Sequence, residues 1–315
     1  MGYLWHVKNW FKVGKEFSWN LSFNTLLGFM SLNKHFQNNF FLRHADKKHE
    51  YIISYLEKEF ASLIEKYKSI PEETNTTNEK TIWTLWWQGE QNAPDLVKAC
   101  LEQLKRNANG AEIIILTKDN YKNYIELPDY ILEKRDKGYI SFAQLSDIIR
   151  FTLLEKYGGL WLDSTIYTSK PISDEYFSRP FFSQHTKWCD TCFVQHNLWH
   201  GFSIGSKKGG KLVSFAKEIF YEYWKKQDTL IDYLMIDYII MLAYINFSDI
   251  KSEIDSLPYS SEKLYDLVNL LSKEFNEEHF DLLMEECIFS KLDWHKKYKS
   301  IVKGKETYYS HIVNL

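Results

Sequence analysis

Four cysteines in 315 residues are too few to frame a disulfide scaffold, and a chain that does without one suits a reducing cytoplasm. Long apolar runs are missing too. No uninterrupted stretch of about 18 apolar residues occurs, which argues against a spanning helix. Trp5, His6, Lys8 and Trp10 also break any early apolar core of a signal peptide. Charge of one sign is scarce: the net is −3 and the pI near 6.4, so nothing global marks a nucleic-acid binder. Aromatic rings, by contrast, make up 17% of the chain. Such rings stack on sugars and bases, although most serve as ordinary core. The length allows one large domain, or a domain with an appendage.

The first fifty residues are unlike the rest. Seven basic residues (Lys8, Lys12, Lys15, Lys34, Arg43, Lys47, Lys48) face three acids (Glu16, Asp46, Glu50), with Trp5, Trp10, Phe11, Trp19, Phe23, Phe36 and Phe40 among those interleaved. Cations mixed with Trp and Phe suit a segment lying on an anionic membrane surface. A helical arm packed on the rest of the chain, its charges solvated, explains the same composition. From Lys47 to Tyr67 the stripe Ile52, Leu56, Phe60, Leu63, Ile64 and Tyr67 predicts a surface helix. Ser69 to Lys80, polar and containing Pro71, reads as a linker.

A second unit is expected from Thr81 onward. TIWTL reads as a strand, Pro94 to Asn107 as a helix, and Glu112 to Leu116 as a strand buried on both faces, together a βαβ unit. Ser141 to Ile172 then combines an amphipathic helix carrying Asp147 and Arg150, a Gly158-Gly159 stop, and a short strand Leu160-Trp161-Leu162 ending at Asp163. A carboxylate at the carboxyl end of such a strand is where open α/β sheets bind ligands. Thr229 to Ile245 is apolar all round except for Asp232 and Asp237, which predicts a buried helix whose acids need partners or a cavity. His185, Cys189, Cys192, His196 and His200 offer zinc-ligand types, but a single Cys-x-x-Cys also suits unremarkable loop residues.

The helix with Asp147 and Arg150, the Gly-Gly stop and the strand ending in Asp163 resemble the sugar-binding region of DXD-type glycosyltransferases. The nearest branches are glycosyltransferase family 32 and the bacterial capsular polysaccharide synthesis proteins. The Trp86-Trp87-Gln88-Gly89 segment and the repeated Ile-Asp-Tyr around Asp232 and Asp237 add to the resemblance. It implies a GT-A-like α/β domain over 81–315; the helical arm and linker expected over 1–80 rest on composition alone. It also implies sugar transfer, with retention, from a nucleotide diphosphate donor (UDP-linked) to a lipid-linked polysaccharide intermediate at the inner membrane face. Trp87 and Gln88 would meet the donor base, with Trp86 the alternative, and Asp147 and Arg150 would hold sugar hydroxyls and phosphate. Asp163 and Asp237 would be the catalytic acids, and Lys291 and His311 would meet the diphosphate.

The resemblance departs at one position. Where the wider group has Asp-x-Asp, this chain has Asp163-Ser164-Thr165. Two outcomes follow: a loosely held Mn²⁺ or Mg²⁺ on Asp163 and His311, or Lys and Arg side chains in place of the ion. The missing acid also leaves open a catalytically silent, glycan-binding or scaffolding protein of a polysaccharide assembly.

Overall fold

The computed structural model describes residues 2–32, 38–71, 80–189 and 193–315. Four helices precede the sheet: α1 (Gly2–Glu16), α2 (Trp19–Met30), α3 (Asn39–Glu59) and α4 (Ala61–Lys68). Their starts follow from local chemistry. Ser18 and Asn38 are extended residues whose side-chain oxygens accept from the first free N–H groups of α2 and α3. Gly28 lets α2 lie directly on α3, since a Cβ there would stand 2.9 Å from the Ala45 Cα. The single helix expected over 47–67 is broken at Phe60, which leaves helical geometry. Ile52, Leu56, Phe60, Ile64 and Tyr67 still reach one core, shared with Ile149, Phe215 and Ile239 of the following unit. Residues 72–79 of the expected linker, with Lys34 and Phe36 of the arm, lie outside the described residues.

The sheet begins as the sequence predicts. β1 (Thr81–Leu85), α5 (Asp95–Arg106) and β2 (Glu112–Leu116) form a βαβ unit, with β1 and β2 parallel. β2 is an edge strand, so Ile113, Ile114 and Ile115 are half-buried rather than covered on both faces. α6 (Asp129–Asp136) and α7 (Phe142–Tyr157) lead to β3 (Gly159–Leu162), which runs parallel to β1. Gly159 is required where α7 turns into β3: its φ is +97°, and a Cβ would overlap the Thr81 carbonyl oxygen.

After β3 come β4 (Ile166–Thr168), α8 (Glu175–Ser178), β5 (Phe181–Ser183), β6 (Ser203–Ser206), α9 (Lys211–Lys226), α10 (Met235–Asn246) and β7 (Phe289–Lys291). Among the described residues the main sheet is ordered β2-β1-β3-β6-β5, its last two strands antiparallel. β4 and β7 form a separate antiparallel pair. Because β1 and β3 are parallel neighbours, their carboxyl ends share one edge. Trp87 and Asp163 therefore emerge on the same side.

The all-apolar segment behaves differently from the expected continuous helix. Residues 229–234 are loop, and α10 starts only at Met235. Asp232 therefore sits before the helix, where one oxygen accepts from the Leu234 N–H at 2.8 Å. Its other oxygen lies 3.3 Å from Lys48 Nζ and 3.5 Å from His6 Nε2, all three groups buried. Burial alone would raise the Asp232 carboxyl, but Lys48, His6 and the Leu234 N–H outweigh it and hold it below the usual carboxylate range. The His49 ring nitrogen lies 2.8 Å from the Tyr238 hydroxyl. These contacts, with the shared core, seat the arm on α9 and α10. No helix among the described residues is long and apolar enough to cross a membrane.

Removing one partner of a buried pair leaves a bare charge, so Lys48→Met should destabilise the chain by about 3–5 kcal/mol. Lys48→Met combined with Asp232→Asn should recover most of that loss, read as the midpoint of urea unfolding. Equal midpoints for the single and double variants would show that the pair does not hold the arm.

Candidate active site

Ser141 starts α7 by accepting from the Gln144 N–H. Helical spacing then places Gln144, Asp147 and Arg150 in one row. Gln144 donates to Asp147 Oδ2 and to the Tyr233 carbonyl, both at 3.3 Å. Arg150 Nη2 lies 3.4 Å from Asp147 Oδ1 and 3.0 Å from Asp163 Oδ1, and Nη1 donates to the Gly201 carbonyl. On β3, strand alternation puts Trp161 on the side of Asp163. Its indole N–H donates to Asp163 Oδ1 at 3.0 Å, under the Arg150 guanidinium at 4.8 Å from the ring centre. The Asp163 N–H is itself tied to the Phe202 carbonyl at 2.9 Å.

The third contributor is distant in sequence. Ile166 of β4 pairs with Lys291 of β7, and the Leu292 N–H donates to the Thr165 carbonyl at 2.9 Å. This register brings Lys291 Nζ to 2.6 Å from Asp163 Oδ2 and 2.8 Å from Thr165 Oγ1, with the Phe202 ring centre 5.2 Å away. Asp163 and Lys291 keep 28% and 22% of their side-chain surface in solvent, whereas Arg150 keeps 5%. The solvent-facing pair is therefore Asp163 and Lys291, and Arg150 fixes the carboxylate from behind.

Burial would push the Asp163 carboxyl up, but Lys291 and Arg150 outweigh it and hold it below the usual range. Asp147 goes the other way: burial, opposed by Arg150 and reinforced by the Asp163 charge, takes it up to about 7. Asp237, in the first turn of α10, also rises to about 7 through burial, although it accepts a 3.0 Å hydrogen bond from Trp199 Nε1. Burial thus weakens the Asp147 charge, and two cations, Arg150 and Lys291, meet at the Asp163 carboxylate, groups suited to a phosphate.

Other expected residues fall in several places. The Trp87 ring centre lies 5.4 Å from that of Tyr121 and 5.7 Å from that of Phe142 at the mouth of α7, at the same sheet edge as Asp163. Trp86 stands edge-on to Trp294, and Gln88 is exposed. His311 does not join Asp163: its ring stacks on Phe275 at 3.8 Å, near Phe280, in the helix Tyr308–Asn314. Aromatic packing has taken the ring expected at the diphosphate. Cys192 of the zinc reading lies outside the described residues, and among those described no three His, Cys, Asp or Glu side chains form a metal cluster. His185 Nδ1 is engaged by the Leu257 carbonyl.

Sequence reasoning missed Trp161 and Trp199 as partners of Asp163 and Asp237, and the Gly201 carbonyl as a partner of Arg150. The two-residue spacing of Trp161 and Asp163 carried the first signal, but nothing local marks the other two. The donor set also does not fit a divalent ion. Asp163 offers its oxygens to Arg150, Trp161 and Lys291, and the Thr165 hydroxyl accepts from that same ammonium.

Comparison with known proteins adds three findings. A family model described as capsular polysaccharide synthesis protein matches residues 32–312. O-glycosyltransferase PaGT of Phomopsis amygdali is 30% identical over 109 residues, 31% of this chain and 27% of that protein. The match thus spans about a quarter of that relative's length. The solved structure of PaToxG Glycosyltransferase aligns at a TM-score of 0.40 and 14% identity, covering 64% of this chain and 80% of that one.

A carboxyl that is charged in the unfolded chain but rises toward 7 when folded costs stability as pH climbs from about 4 through 7. Asp237→Asn keeps an acceptor for Trp199 and removes that cost. The variant should therefore melt well above the wild type at pH 8 and close to it at pH 5. An equal difference at both pH values would show that Asp237 does not titrate in that range.

Proposed function

The chain belongs to the capsular polysaccharide synthesis protein family, and on that premise we propose that it is a glycosyltransferase acting on surface polysaccharide. The observation that carries the reading is the convergence of Asp163, Arg150 and Lys291 at the carboxyl edge of the β1–β3 pair, the edge from which Trp87 also emerges. That edge of an α/β sheet suits a nucleotide, and its Lys291 ammonium suits a diphosphate. The donor is a nucleotide diphosphate sugar, UDP-linked by the family 32 resemblance, seated in a GT-A-like frame. Asp163 takes donor hydroxyls and Lys291 the diphosphate, while Arg150 and Asp147 hold Asp163 in place. An acceptor hydroxyl bonds to the anomeric carbon as the bond to the diphosphate oxygen breaks. The electron pair leaves with the nucleoside diphosphate, which also receives the hydroxyl proton. Retention of configuration is supported by the resemblance alone.

The acceptor in this reading is a lipid-linked oligosaccharide, and the arm supplies the membrane contact. On α1, Leu4, Val7 and Phe11 are exposed together with Lys8 and Lys15. Phe11 meets Trp19 at 5.3 Å, and Phe23 follows Trp19 by one helical turn. Phe23 and Phe40 both pack on His44, joining α2 to α3, where Arg43 and Lys47 are exposed. Apolar rings continuous across three helices, with cations beside them, suit the headgroup region of an anionic bilayer. The inward face of the arm meanwhile packs on α9 and α10. The two readings of its composition thus apply to opposite faces.

Two measurements test these readings. Asp163→Asn should cut hydrolysis of the donor sugar at least ~100-fold, and Arg150→Lys nearly as far, because the single nitrogen of a lysine cannot stand at both the Nη1 and Nη2 positions that reach Gly201 and the two carboxylates. Turnover near the wild-type rate in both variants would place catalysis elsewhere. For the arm, Phe11→Ser with Phe23→Ser should abolish co-sedimentation with phosphatidylglycerol vesicles and leave donor hydrolysis unchanged. Wild-type binding should also weaken with salt. Equal sedimentation of the two proteins would exclude the bilayer contact.

A further inference from the structure

We infer that Lys291 is the built-in cation of this site, standing where a two-acid site holds its divalent ion, so that a nucleoside diphosphate binds here without metal. The inference rests on reading the Asp163 edge as a donor site. In a two-acid loop the second carboxylate would be at position 165, where it would help hold an ion that neutralises the diphosphate. Here position 165 carries a neutral hydroxyl, and an ammonium lies between it and Asp163, at 2.8 and 2.6 Å. Hard divalent ions favour carboxylate oxygens, so losing one weakens any ion's hold. A divalent ion on Asp163 would also face two like charges, because Arg150 and Lys291 both lie within 3.0 Å of that carboxylate.

The placement of Lys291 is fixed by backbone pairing. It ends β7, its N–H donates to the Leu264 carbonyl at 2.8 Å, and the next residue donates to Thr165 itself. The strand register that delivers Thr165 therefore delivers the ammonium with it. A lysine has three N–H donors. Two are spent on Asp163 and Thr165, which leaves one for a ligand oxygen, and the head is still partly open to solvent. Threonine suits this arrangement better than aspartate would, since a second carboxylate beside the ammonium would compete with the diphosphate for the charge of Lys291. The cost is flexibility of charge: the site has one fixed positive group where an ion would bring two charges, with Arg150 behind Asp163 supplying the rest of the field.

Calorimetric titration of the full-length chain with UDP, GDP and ADP, in excess EDTA and then in Mn²⁺, tests the inference by binding alone. At least one nucleotide should bind with a Kd that changes less than about twofold between the two conditions. Lys291→Met should weaken that binding at least about tenfold, and Lys291→Arg should restore most of it. Binding that needs Mn²⁺, or that survives Lys291→Met unchanged, overturns the assignment of Lys291 and leaves the donor-site reading standing. No binding of any nucleotide in either condition overturns the donor-site reading, and the inference with it. If Lys291→Met does not fold, the wild-type comparison between EDTA and Mn²⁺ still decides.

Discussion

The Asp163 carboxylate is the point on which the site depends, because three separate parts of the chain spend a hydrogen-bond donor on it. Arg150 comes from α7, Trp161 from β3 and Lys291 from β7. Two of these side chains are engaged elsewhere as well: Arg150 also reaches Asp147 and Gly201, and Lys291 also reaches Thr165. Charge-assisted hydrogen bonds of this kind are short and directional. Moving any one of the elements would therefore disturb the others. The geometry that orients the carboxylate also leaves its outer side, and the lysine head, facing solvent.

A second buried acid organises the other half of the molecule. Asp232 has no route to water, and its partners Lys48 and His6 both come from the arm. The arm is thus part of the same folding unit as the sheet, since without it a carboxylate would be left bare in an apolar loop. Asp237, only five residues on, meets a different environment. With Trp199 as its hydrogen-bond partner and no cation in contact, its proton is held to near neutrality. Two acids in one apolar segment, one ionised and one half-protonated, show how far neighbours rather than burial alone set charge.

The two faces of the arm carry similar residues in different surroundings. Lys48 is buried, with its ammonium over the Phe29 and Tyr238 rings, while Lys8, Lys15, Arg43 and Lys47 stay in water beside Phe11, Phe23 and Phe40. A mixture of cations and rings has no fixed meaning in composition. Which side of a helix each residue occupies decides whether a ring is core or exposed.

Much of the centre was readable from local pattern. Apolar spacing, the Gly158-Gly159 stop and the βαβ punctuation placed β1, α5, β2, α7 and β3, and with them the edge where Asp163 emerges. These signals are local because helix and strand periods act over a few residues. The expected companions of Asp163 were less secure. Lys291 and His311 both have the polar or charged character a diphosphate needs, but the β4–β7 register puts Lys291 on the carboxylate whereas ring stacking on Phe275 takes His311 elsewhere. The loop at 229–234 was hidden because the pull of Lys48 and His6 on Asp232 comes from more than 180 residues away in the chain. The sequence by itself thus determined the elements and the strand end that carries the acid. Only the tertiary structure decided which cations meet it, because pairing between distant strands and helices leaves no period in the chain.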